Sequence, residues 1–600
     1  MTSKFQIPQN EITQVLVGYK SAFRTVAVFS AIINLLMLVP SIYMLQVYDR
    51  VIPSRNDLTL WMLTLMMLGG YLFMSALEFV RSFVLVRVGA RFDMQLNKRI
   101  YTAAFEQSLK QGGGNAGQAL MDLTNIRQFL TGSALFAFFD LPWFPIYLIV
   151  IFAFEPSLGV FSLIGTAILI ALAYINEIVS HKPLAEANAL AIASSTQANN
   201  NMRNAEVIES MGMLPNLMWR WFKTHGRFLQ LQAEASEKAG IVQAVTKFFQ
   251  TSLQSLILGY GALLTIEGKM TPGMMIAASI LMGRAMAPVQ MVIGVWKQWS
   301  STRSAYGRLV ALLSHNPPRE AGMALPKPTG ALTVEGVTAG PPGAKLAVIK
   351  GLSFGIQPGD VLGVIGPSGA GKSTLARLLV GVWPAAVGKV RLDAADIYQW
   401  NKDELGPHIG YLPQDIELFA GTISENIARF GQVDPEQVIV AAKRAGVHEM
   451  ILHLPQGYDT VLSEGGGGLS GGQKQRLGLA RTMYGDPSVI VLDEPNSNLD
   501  EIGEAALVAA IVDLRKRGKT VVLITHRTSI INITTKLLYL RDGALQMFGP
   551  TPDVLNAIQQ SNAQQQLAQQ QAQQQAQQQA EQRRLAANAD TTATVTEQGQ

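Results

Sequence analysis

The sequence predicts two fused folds: an α-helical membrane-spanning domain in the first half of the chain and an α/β domain of the P-loop type in the second. Three observations lead to this prediction. Charged residues make up only 15% of the 600 residues, well below the usual quarter, and they are sparse before about residue 300. Uncharged stretches of about twenty residues recur in that first half. A glycine-rich loop stands between a strand-like run and a helical pattern in the second half.

Six stretches of the first half are candidate membrane spans, because about twenty apolar residues cross the hydrocarbon layer as a helix. Four of them contain no charged residue, which argues against the buried core of a soluble protein. The other two hold one charge each, Asp140 in residues 129–154 and Arg284 in residues 271–296. We therefore expect about six transmembrane helices. The four uncharged stretches are residues 25–47, 58–77, 157–176 and 248–266.

Lysine and arginine residues are concentrated in two long connections of this half. The connection between the second and third spans carries seven of them, and the connection between the fourth and fifth spans carries seven more. The positive-inside rule places these connections in the cytosol, together with both termini and the P-loop domain. Because both connections look helical, we expect the spans to continue past the bilayer as cytosolic extensions.

Asp140 and Arg284 are ionisable residues at membrane depth, where a charge is costly without a partner or water. One hypothesis is that they line a hydrated pathway for a transported substrate. The other is that they lie at the cytosolic ends of tilted spans, or that they pair with each other. The sequence leaves both hypotheses open.

The composition excludes several classes of protein. Without a cysteine, the chain has no disulfide framework, no thiolate metal site and no cysteine nucleophile. A net charge of +5 is too small on a chain of this size to indicate nucleic-acid binding. The first twenty residues do not read as a signal peptide, because Glu11 and the polar residues before it interrupt any early apolar core.

The glycine-rich loop of the second half has the context that a phosphate-binding P-loop requires. Residues 361–365 form an apolar run of strand length, residues 366–373 read Gly-Pro-Ser-Gly-Ala-Gly-Lys-Ser, and an apolar helical pattern follows. The glycines let backbone N–H groups surround the phosphates of a nucleotide. Lys372 supplies a cation to the phosphates, and Ser373 supplies a hydroxyl to Mg²⁺. The predicted nucleotide-binding residues are Gly366, Pro367, Ser368, Gly369, Ala370, Gly371, Lys372, Ser373 and Thr374.

A second apolar run, residues 488–492, ends in Asp493 and Glu494. An aspartate at the end of a strand suits Mg²⁺. The neighbouring glutamate can polarise the attacking water as a general base. Together with the P-loop, this pair predicts a site that hydrolyses ATP and uses Mg²⁺.

The segment Leu-Ser-Gly-Gly-Gln at residues 469–473 resembles the signature motif of the ATP-binding cassette (ABC) ATPases. The resemblance covers residues from about 332 to 550, with the family's other motifs in order. It implies that Gln414 senses Mg²⁺ and contacts the membrane domain, that His526 contacts the γ-phosphate, and that Asp500 ends a loop crossing a dimer interface. It also implies that the signature of one chain completes the ATP site on the P-loop of another, so the chain forms a homodimer. The signature residues are Ser470, Gly471, Gly472 and Gln473.

The chain departs from that family before the P-loop. Many ABC ATPases have an upstream aromatic residue that stacks on adenine, whereas residues 337–343 contain no aromatic residue. We expect apolar packing to hold adenine instead. Whether the site strictly prefers ATP over other nucleotides stays open.

A membrane half fused ahead of the cassette resembles ABC exporters, and residues 45–54, 139–145 and 283–288 resemble the exporters of bacterial type I secretion systems. This resemblance implies ATP-driven export of an unfolded protein with a C-terminal signal, from a multi-pass protein among the lipids of the bacterial inner membrane. It implies two protein partners, a periplasmic adaptor (membrane fusion) protein and an outer-membrane channel protein. Because only about twenty residues precede the first span, we expect no N-terminal peptidase domain and a place in the protease and lipase exporter subgroup.

Two other functions stay open. A half-size ABC exporter of lipids or amphiphilic drugs would share every cassette motif, and a cavity lined for hydrophobic ligands would favour it. An ATP-gated channel or regulator is the second, although the intact Glu494 argues against it because a gate tolerates slow hydrolysis. The membrane spans exclude soluble cassette proteins that act on nucleic acid or ribosomes.

These observations divide the chain into four predicted segments. They are a cytosolic N-terminus at residues 1–24, a transmembrane domain with cytosolic extensions at 25–315, a cassette at 330–555 and a Gln/Ala-rich tail at 556–600. The composition of the tail cannot bury a core. We predict that the tail is a dispensable extension rather than a docking or self-association segment.

Overall fold

The computed structural model describes residues 10–111, 116–318, 324–344 and 346–561, together with residues 564, 573, 577 and 578. These residues belong to two compact units. The first unit holds the residues up to 318 except 109–112, and the second holds the residues from 319 onward. Most of the predicted tail therefore lies outside the described residues.

The first unit consists of helices and their short connections over the residues that the structure describes. Four of its helices have between 44 and 55 residues, so each is roughly 65–80 Å long at 1.5 Å per residue. This length exceeds the hydrocarbon layer of about 30 Å, as we expect of spans that continue past the bilayer. The helices are α1 (Glu11–Gly18), α2 (Lys20–Leu36), α3 (Val39–Gln46), a π-helix (Val47–Val51), α4 (Ile52–Ser54), α5 (Asp57–Gln111), α6 (Ala116–Thr131), α7 (Ser133–Asp140), a 3₁₀ turn (Leu141–Trp143), α8 (Phe144–Phe154), α9 (Pro156–Arg203), α10 (Ala205–Ser210), α11 (Leu214–Ile266) and α12 (Pro272–His315).

Five helical segments among the described residues are long and apolar enough to cross a membrane, namely Lys20–Ser54, Asp57–Lys110, Ser133–Phe154, Pro156–Asn176 and Pro272–His315. They coincide with five of the six predicted spans. The remaining stretch, residues 248–266, forms the last part of α11 but is not among the five. Its Gln and Ser residues reduce its mean hydropathy, so the sixth span stays a prediction.

Two apolar clusters hold the first unit together. One joins α8, α9, α11 and α12 through side chains such as Tyr147, Ile257 and Leu281. The other joins α1, α5, α6 and α12, and in it Phe92 and Ile100 are fully buried. Each cluster draws on helices far apart in sequence, so the unit is stabilised by tertiary packing.

Asp140, at the end of α7, belongs to a buried cluster of polar side chains. Its Oδ1 accepts hydrogen bonds from Arg81 Nη1 at 2.9 Å and from Asn34 Nδ2 at 3.1 Å. Arg81 Nη1 also donates to Ser30 Oγ at 2.9 Å. The ion-pair partner of Asp140 is therefore Arg81 and not Arg284, which is exposed on α12. A salt bridge inside a packed unit needs such additional hydrogen bonds to offset desolvation.

The second unit is an α/β domain with three sheets. Its central sheet has the strand order β12-β11-β3-β10-β9-β6, and all its strands are parallel except the edge strand β12. The others have the order β2-β1-β4-β5 and β7-β8. The strands are β1 (Leu332–Ala339), β2 (Ile349–Ile356), β3 (Val361–Ile365), β4 (Val387–Leu392), β5 (Ala395–Asp396), β6 (Ile409–Leu412), β7 (Gly421–Thr422), β8 (Val461–Leu462), β9 (Val489–Asp493), β10 (Thr520–Ile524), β11 (Lys536–Arg541) and β12 (Ala544–Pro550).

Helices cover both faces of the central sheet, so its middle strands are buried along their whole length, as their continuous apolar runs predict. A further helix over residues 551–561 follows β12. The helices are α13 (Lys372–Leu379), α14 (Lys402–Leu405), α15 (Ile423–Ile427), α16 (Pro435–Arg444), α17 (His448–Leu452), α18 (Gly471–Met483), α19 (Glu501–Lys516) and α20 (Thr528–Ile531).

Candidate nucleotide-binding site

Four of the predicted motifs follow four neighbouring strands of the central sheet. The strands β3, β10, β9 and β6 lie side by side and parallel. The P-loop follows β3, His526 follows β10, Glu494 follows β9 and Gln414 follows β6. Ligands of open α/β sheets bind at the carboxyl ends of the strands, so the order of the strands brings these motifs to one edge.

The P-loop turns sharply from β3 into α13, and its glycines are required by geometry. Gly366 has a φ of 155°, and a Cβ there would lie 2.1 Å from the carbonyl oxygen of Leu540. Gly371 is the N-cap of α13 with a φ of 99°. Lys372 Nζ donates to the carbonyl oxygens of Gly366 and Pro367 at 2.9 and 3.1 Å. The loop therefore presents a cation and free helix N–H groups on one side, which suits phosphates.

Burial shifts the pKa values of two charged groups in this site. Burial lowers the pKa of Lys372, against the opposing effect of Glu494 and Asp493. Burial also raises the pKa of Asp493, although a hydrogen bond from Ser373 acts in the other direction. Asp493 is 1% exposed, and no donor among the described residues reaches its Oδ1. A buried, unpartnered carboxylate oxygen beside a serine hydroxyl fits a Mg²⁺ ligand set.

The carboxylate of Glu494 is approached by side chains from two other motifs. Gln414 Nε2 donates to its Oε2 at 3.3 Å, and His526 Nε2 lies 3.6 Å from its Oε1. Its own N–H donates to the carbonyl oxygen of Ile524 at 3.0 Å. The backbone of Glu494 has a φ of 49°, a left-handed conformation that non-glycine residues adopt only where surrounding contacts hold them. The carboxylate can accept a proton from a water at this edge.

The signature residues form the start of α18. Ser470 is its N-cap, and Ser470 and Gln473 satisfy each other's backbone N–H groups in a capping box. Asp500 likewise caps α19 by accepting from the N–H of Gly503 at 2.8 Å. Within the described part of one chain, these residues form no hydrogen bond with the P-loop.

Two features of the site were not expected from the sequence. Gln475, two residues past the signature, is 2% exposed and hydrogen-bonds to the loop that follows Glu494. A cavity of about 490 Å³ beside the P-loop is lined by His526 and also by Tyr539 and Arg541 of β11. The only sequence signal for Tyr539 and Arg541 is their place at the end of an apolar strand, and strand order was needed to put β11 next to β3.

The segment just after residues 337–343, the stretch that lacks the usual aromatic residue, carries apolar side chains. Val348 and Ile349 lie against the P-loop, where a Cβ added to Gly371 would be 3.1 Å from Val348 Cγ1. Leu346 is 82% exposed in the same segment. Holding adenine by apolar packing stays a prediction, for which these side chains are the candidates.

The first unit has a cavity of its own, of about 490 Å³, between α9, α11 and α12. None of the described residues that line it is acidic. Its lining combines apolar side chains, among them Ile293 and Trp296, with a set of carboxamides and lysines. These polar side chains are Asn176, Gln243, Gln250, Gln290, Lys247 and Lys297.

Comparison with known proteins agrees with both units. Residues 349–497 match the family model described as ABC transporter, and residues 23–289 match the model of the ABC transporter transmembrane region. The chain therefore belongs to the ABC transporter family, whose members couple ATP hydrolysis to transport. Within that family it is 44% identical over 553 residues to the type I secretion system ATP-binding protein PrsD of Rhizobium meliloti (strain 1021), a match that covers 91% of this chain and 95% of that protein.

More distant relatives also match most of this chain. The toxin RTX-I translocation ATP-binding protein of Actinobacillus pleuropneumoniae is 26% identical over 548 residues, which are 90% of this chain and 77% of the relative. The solved structure of a bacterial Atm1-family ABC exporter with ATP bound superposes with a TM-score of 0.77 at 23% identity, over 91% of this chain and 96% of the other. That structural likeness confirms the predicted fold, an exporter-type helical membrane domain fused to an α/β cassette.

Proposed function

We propose that two copies of this chain form an ATP-driven exporter that moves an unfolded polypeptide across the bacterial inner membrane as part of a type I secretion system. The observation that carries this proposal is the likeness to PrsD over nearly the whole length of both proteins. The name of that relative implies the rest of a secretion apparatus, so a periplasmic adaptor and an outer-membrane channel protein are the partners we propose. Both termini and the cassette lie in the cytosol, on the side of the Lys- and Arg-rich connections.

In the proposed reaction, the P-loop binds the phosphates of ATP through its backbone N–H groups and Lys372. Glu494 accepts a proton from the attacking water, and His526, whose Nε2 lies 3.6 Å from Glu494 Oε1, orients the γ-phosphate. The signature residues of the second chain and Asp500 close the site from the other side. Ser373, Asp493 and Gln414 would hold Mg²⁺, which would neutralise charge on the phosphates.

The cavity between α9, α11 and α12 offers a polypeptide cargo polar contacts as well as apolar ones. Carboxamides such as Gln243 and Gln290 can donate to and accept from main-chain amides whatever the sequence of the cargo. Arg284, exposed on α12, is the charged residue that we place on the substrate pathway, whereas Asp140 is held in the buried cluster with Arg81.

The test is ATPase activity of the purified dimer in detergent, titrated with two kinds of probe. One is a candidate secreted protein unfolded in urea, with its C-terminal segment intact or removed. The other is a panel of phospholipids and amphiphilic drugs. We expect stimulation by the intact protein only, and the Lys372→Ala variant shows the background rate.

A response confined to the lipids and drugs would contradict protein export and would favour the half-size exporter. A slow ATPase rate that no ligand changes, in a dimer that still binds ATP tightly, would favour the gated channel.

A further inference from the structure

Gln475 occupies a buried position that joins two parts of the cassette. Its Nε2 donates to the carbonyl oxygen of Glu494 at 3.1 Å, and its Oε1 accepts from the N–H of Asn498 at 3.1 Å. The Ser497 hydroxyl lies 3.5 Å from Nε2 and 3.4 Å from Oε1. With 2% of its surface exposed, the carboxamide has one orientation that satisfies both its donor and its acceptor.

The loop that Gln475 holds is the one that sets the position of the catalytic carboxylate. Glu494 has a left-handed backbone with a φ of 49°. Such a conformation persists only when surrounding contacts over-determine it. Two hydrogen bonds anchor its peptide groups outside the loop: its N–H to Ile524 of the sheet and its carbonyl oxygen to Gln475. Removing Gln475 leaves that carbonyl with only the N–H of Ser497 in the same loop, at 3.2 Å.

Gln475 also belongs to the helix that begins with the signature. It lies five residues after Ser470 on α18, which is about 7.5 Å along a helix axis. The first turn of α18 rests directly on the same loop, because a Cβ on Gly472 would be 2.7 Å from the carbonyl oxygen of Asn498. A displacement of the signature is therefore transmitted to the loop through side-chain and backbone contacts together.

We propose that Gln475 is a positioning residue that ties the signature helix of a chain to the Glu494 of the same chain. This inference rests on the proposed dimer, in which the signature of one chain completes the ATP site of the other. Two residues near the start of α18 then serve different ATP sites. Ser470 contacts the nucleotide bound to the partner chain, while Gln475 positions Glu494, the general base of its own chain. Gln475 thus links the two ATP sites of the dimer within each chain.

The first experiment compares the Gln475→Leu and Thr482→Val variants as homodimers. Thr482 is the matched control, since it is 1% exposed on the same helix and its hydroxyl donates at 2.8 Å to the carbonyl oxygen of Gly478 in that helix, away from Glu494. For Gln475→Leu we expect kcat to fall about tenfold or more, with the KM for ATP within about twofold of the wild-type value. We expect Thr482→Val to keep both constants near wild type.

The decisive experiment uses mixed dimers, purified through two different affinity tags, in which one chain carries Glu494→Gln so that a single site hydrolyses ATP. In the cis dimer the Glu494→Gln chain also carries Gln475→Leu, and in the trans dimer the other chain carries it. We expect the cis dimer to match the wild-type/Glu494→Gln dimer and the trans dimer to lose about tenfold or more. Activity of the cis dimer also shows that the Gln475→Leu chain folds.

Ser470→Arg in the same two arrangements is the reference for the composite site. It should act in the opposite sense, inactivating the cis dimer and sparing the trans dimer, because the signature serves the partner's site. If Ser470→Arg affected both arrangements equally, the composite site itself would be wrong, and the link through Gln475 with it. If Ser470→Arg behaved as expected but Gln475→Leu reduced the cis dimer as much as or more than the trans dimer, Gln475 would act through the signature helix or the general fold of the chain and not on its own Glu494, and the inference would be overturned.

Discussion

Glu494 is the side chain on which hydrolysis is expected to depend most directly. Gln414 and His526 reach its two carboxylate oxygens, and its backbone is held in a left-handed conformation. A strained residue at the end of a buried strand is typical of catalytic positions, where the surrounding fold maintains a geometry that the residue alone would not adopt.

Replacing Glu494 with Gln keeps the shape of the side chain and removes its ability to accept a proton. We expect the rate of ATP hydrolysis to fall about 10²- to 10⁴-fold while ATP binding is unchanged. Steady-state ATPase assays and equilibrium binding of labelled ATP measure the two. Glu501→Gln, on the exposed first turn of α19, is the control, and near-normal turnover of Glu494→Gln would remove Glu494 from the role of base.

Arg81 and Asp140 lead to a second prediction at the residue scale. Their side chains are 7% and 13% exposed and 2.9 Å apart. Either Arg81→Leu or Asp140→Leu leaves a buried charge without its partner, and we expect each to cost about 3–5 kcal/mol of stability. The double variant should cost less than either single one, because no unpaired charge remains.

Thermal unfolding of the four proteins in one detergent completes this double-mutant cycle. Glu234→Gln, which breaks the exposed pair with Lys238, is the control and should leave the unfolding temperature unchanged. Additive effects of the two substitutions would show that the pair does not interact.

At the scale of elements, the start of α12 depends on a side chain from the other end of the first unit's sequence. Thr271 is the N-cap of α12. Asp49, in the π-helix after α3, accepts from the Thr271 hydroxyl and from the N–H of Gly273 at 2.8 Å. A carboxylate at a helix N-terminus satisfies free N–H groups and interacts favourably with the helix dipole. This contact joins the first and last candidate spans.

Gly273→Ala tests that contact, because a Cβ on Gly273 would lie 2.6 Å from the Asp49 carboxylate. We expect a loss of about 1–3 kcal/mol in unfolding free energy. Gly307→Ala on the same helix is the control, since nothing lies within 4 Å of a Cβ there, and it should be neutral or stabilise by up to about 1 kcal/mol. Equal effects of the two substitutions would mean that Asp49 does not anchor α12.

On the scale of the whole molecule, the helix over residues 551–561 extends past the predicted end of the cassette at residue 555 into the first six residues of the predicted tail. Val554 of that helix is buried against Ile531 and Leu537. The Thr551 hydroxyl donates to the carbonyl oxygen of Thr534 at 3.0 Å. The helix therefore closes one end of the central sheet, and the Gln/Ala-rich residues that follow it have the composition of a chain that cannot bury a core.

Two truncations test the role of the helix and the role of the residues after it. Deleting residues 562–600 is expected to leave ATPase activity, thermal stability and export unchanged. Deleting residues 551–600 exposes the apolar cluster around Val554, so we expect a lower unfolding temperature and less ATPase activity. Loss of export in the shorter deletion, at normal protein level, would instead assign docking or self-association to the tail.

Much of the ATP site was predictable, because its chemistry is carried by short motifs. Local patterns indicate the P-loop, Asp493 and Glu494, the family resemblance adds His526, and the strand order brings them to one edge. Gln475 was not identified, since a glutamine on a helix has no local signature and its role depends on a loop some twenty residues away. For the same reason the sequence leaves Arg284 open as a partner for Asp140, and only the fold shows that Arg81 takes that place.

The order of amino acids alone determines that the chain has a membrane half and an ATP-hydrolysing half, because hydrophobic length and phosphate-binding loops are local properties of the chain. Tertiary structure alone decides which polar groups contact one another in the interior. The pairs are Arg81 with Asp140, Asp49 with the start of α12, and Gln475 with the loop of Glu494. Each of these contacts joins separate elements. Buried polar groups must find partners wherever the fold brings them, and their spacing along the chain does not say where that is.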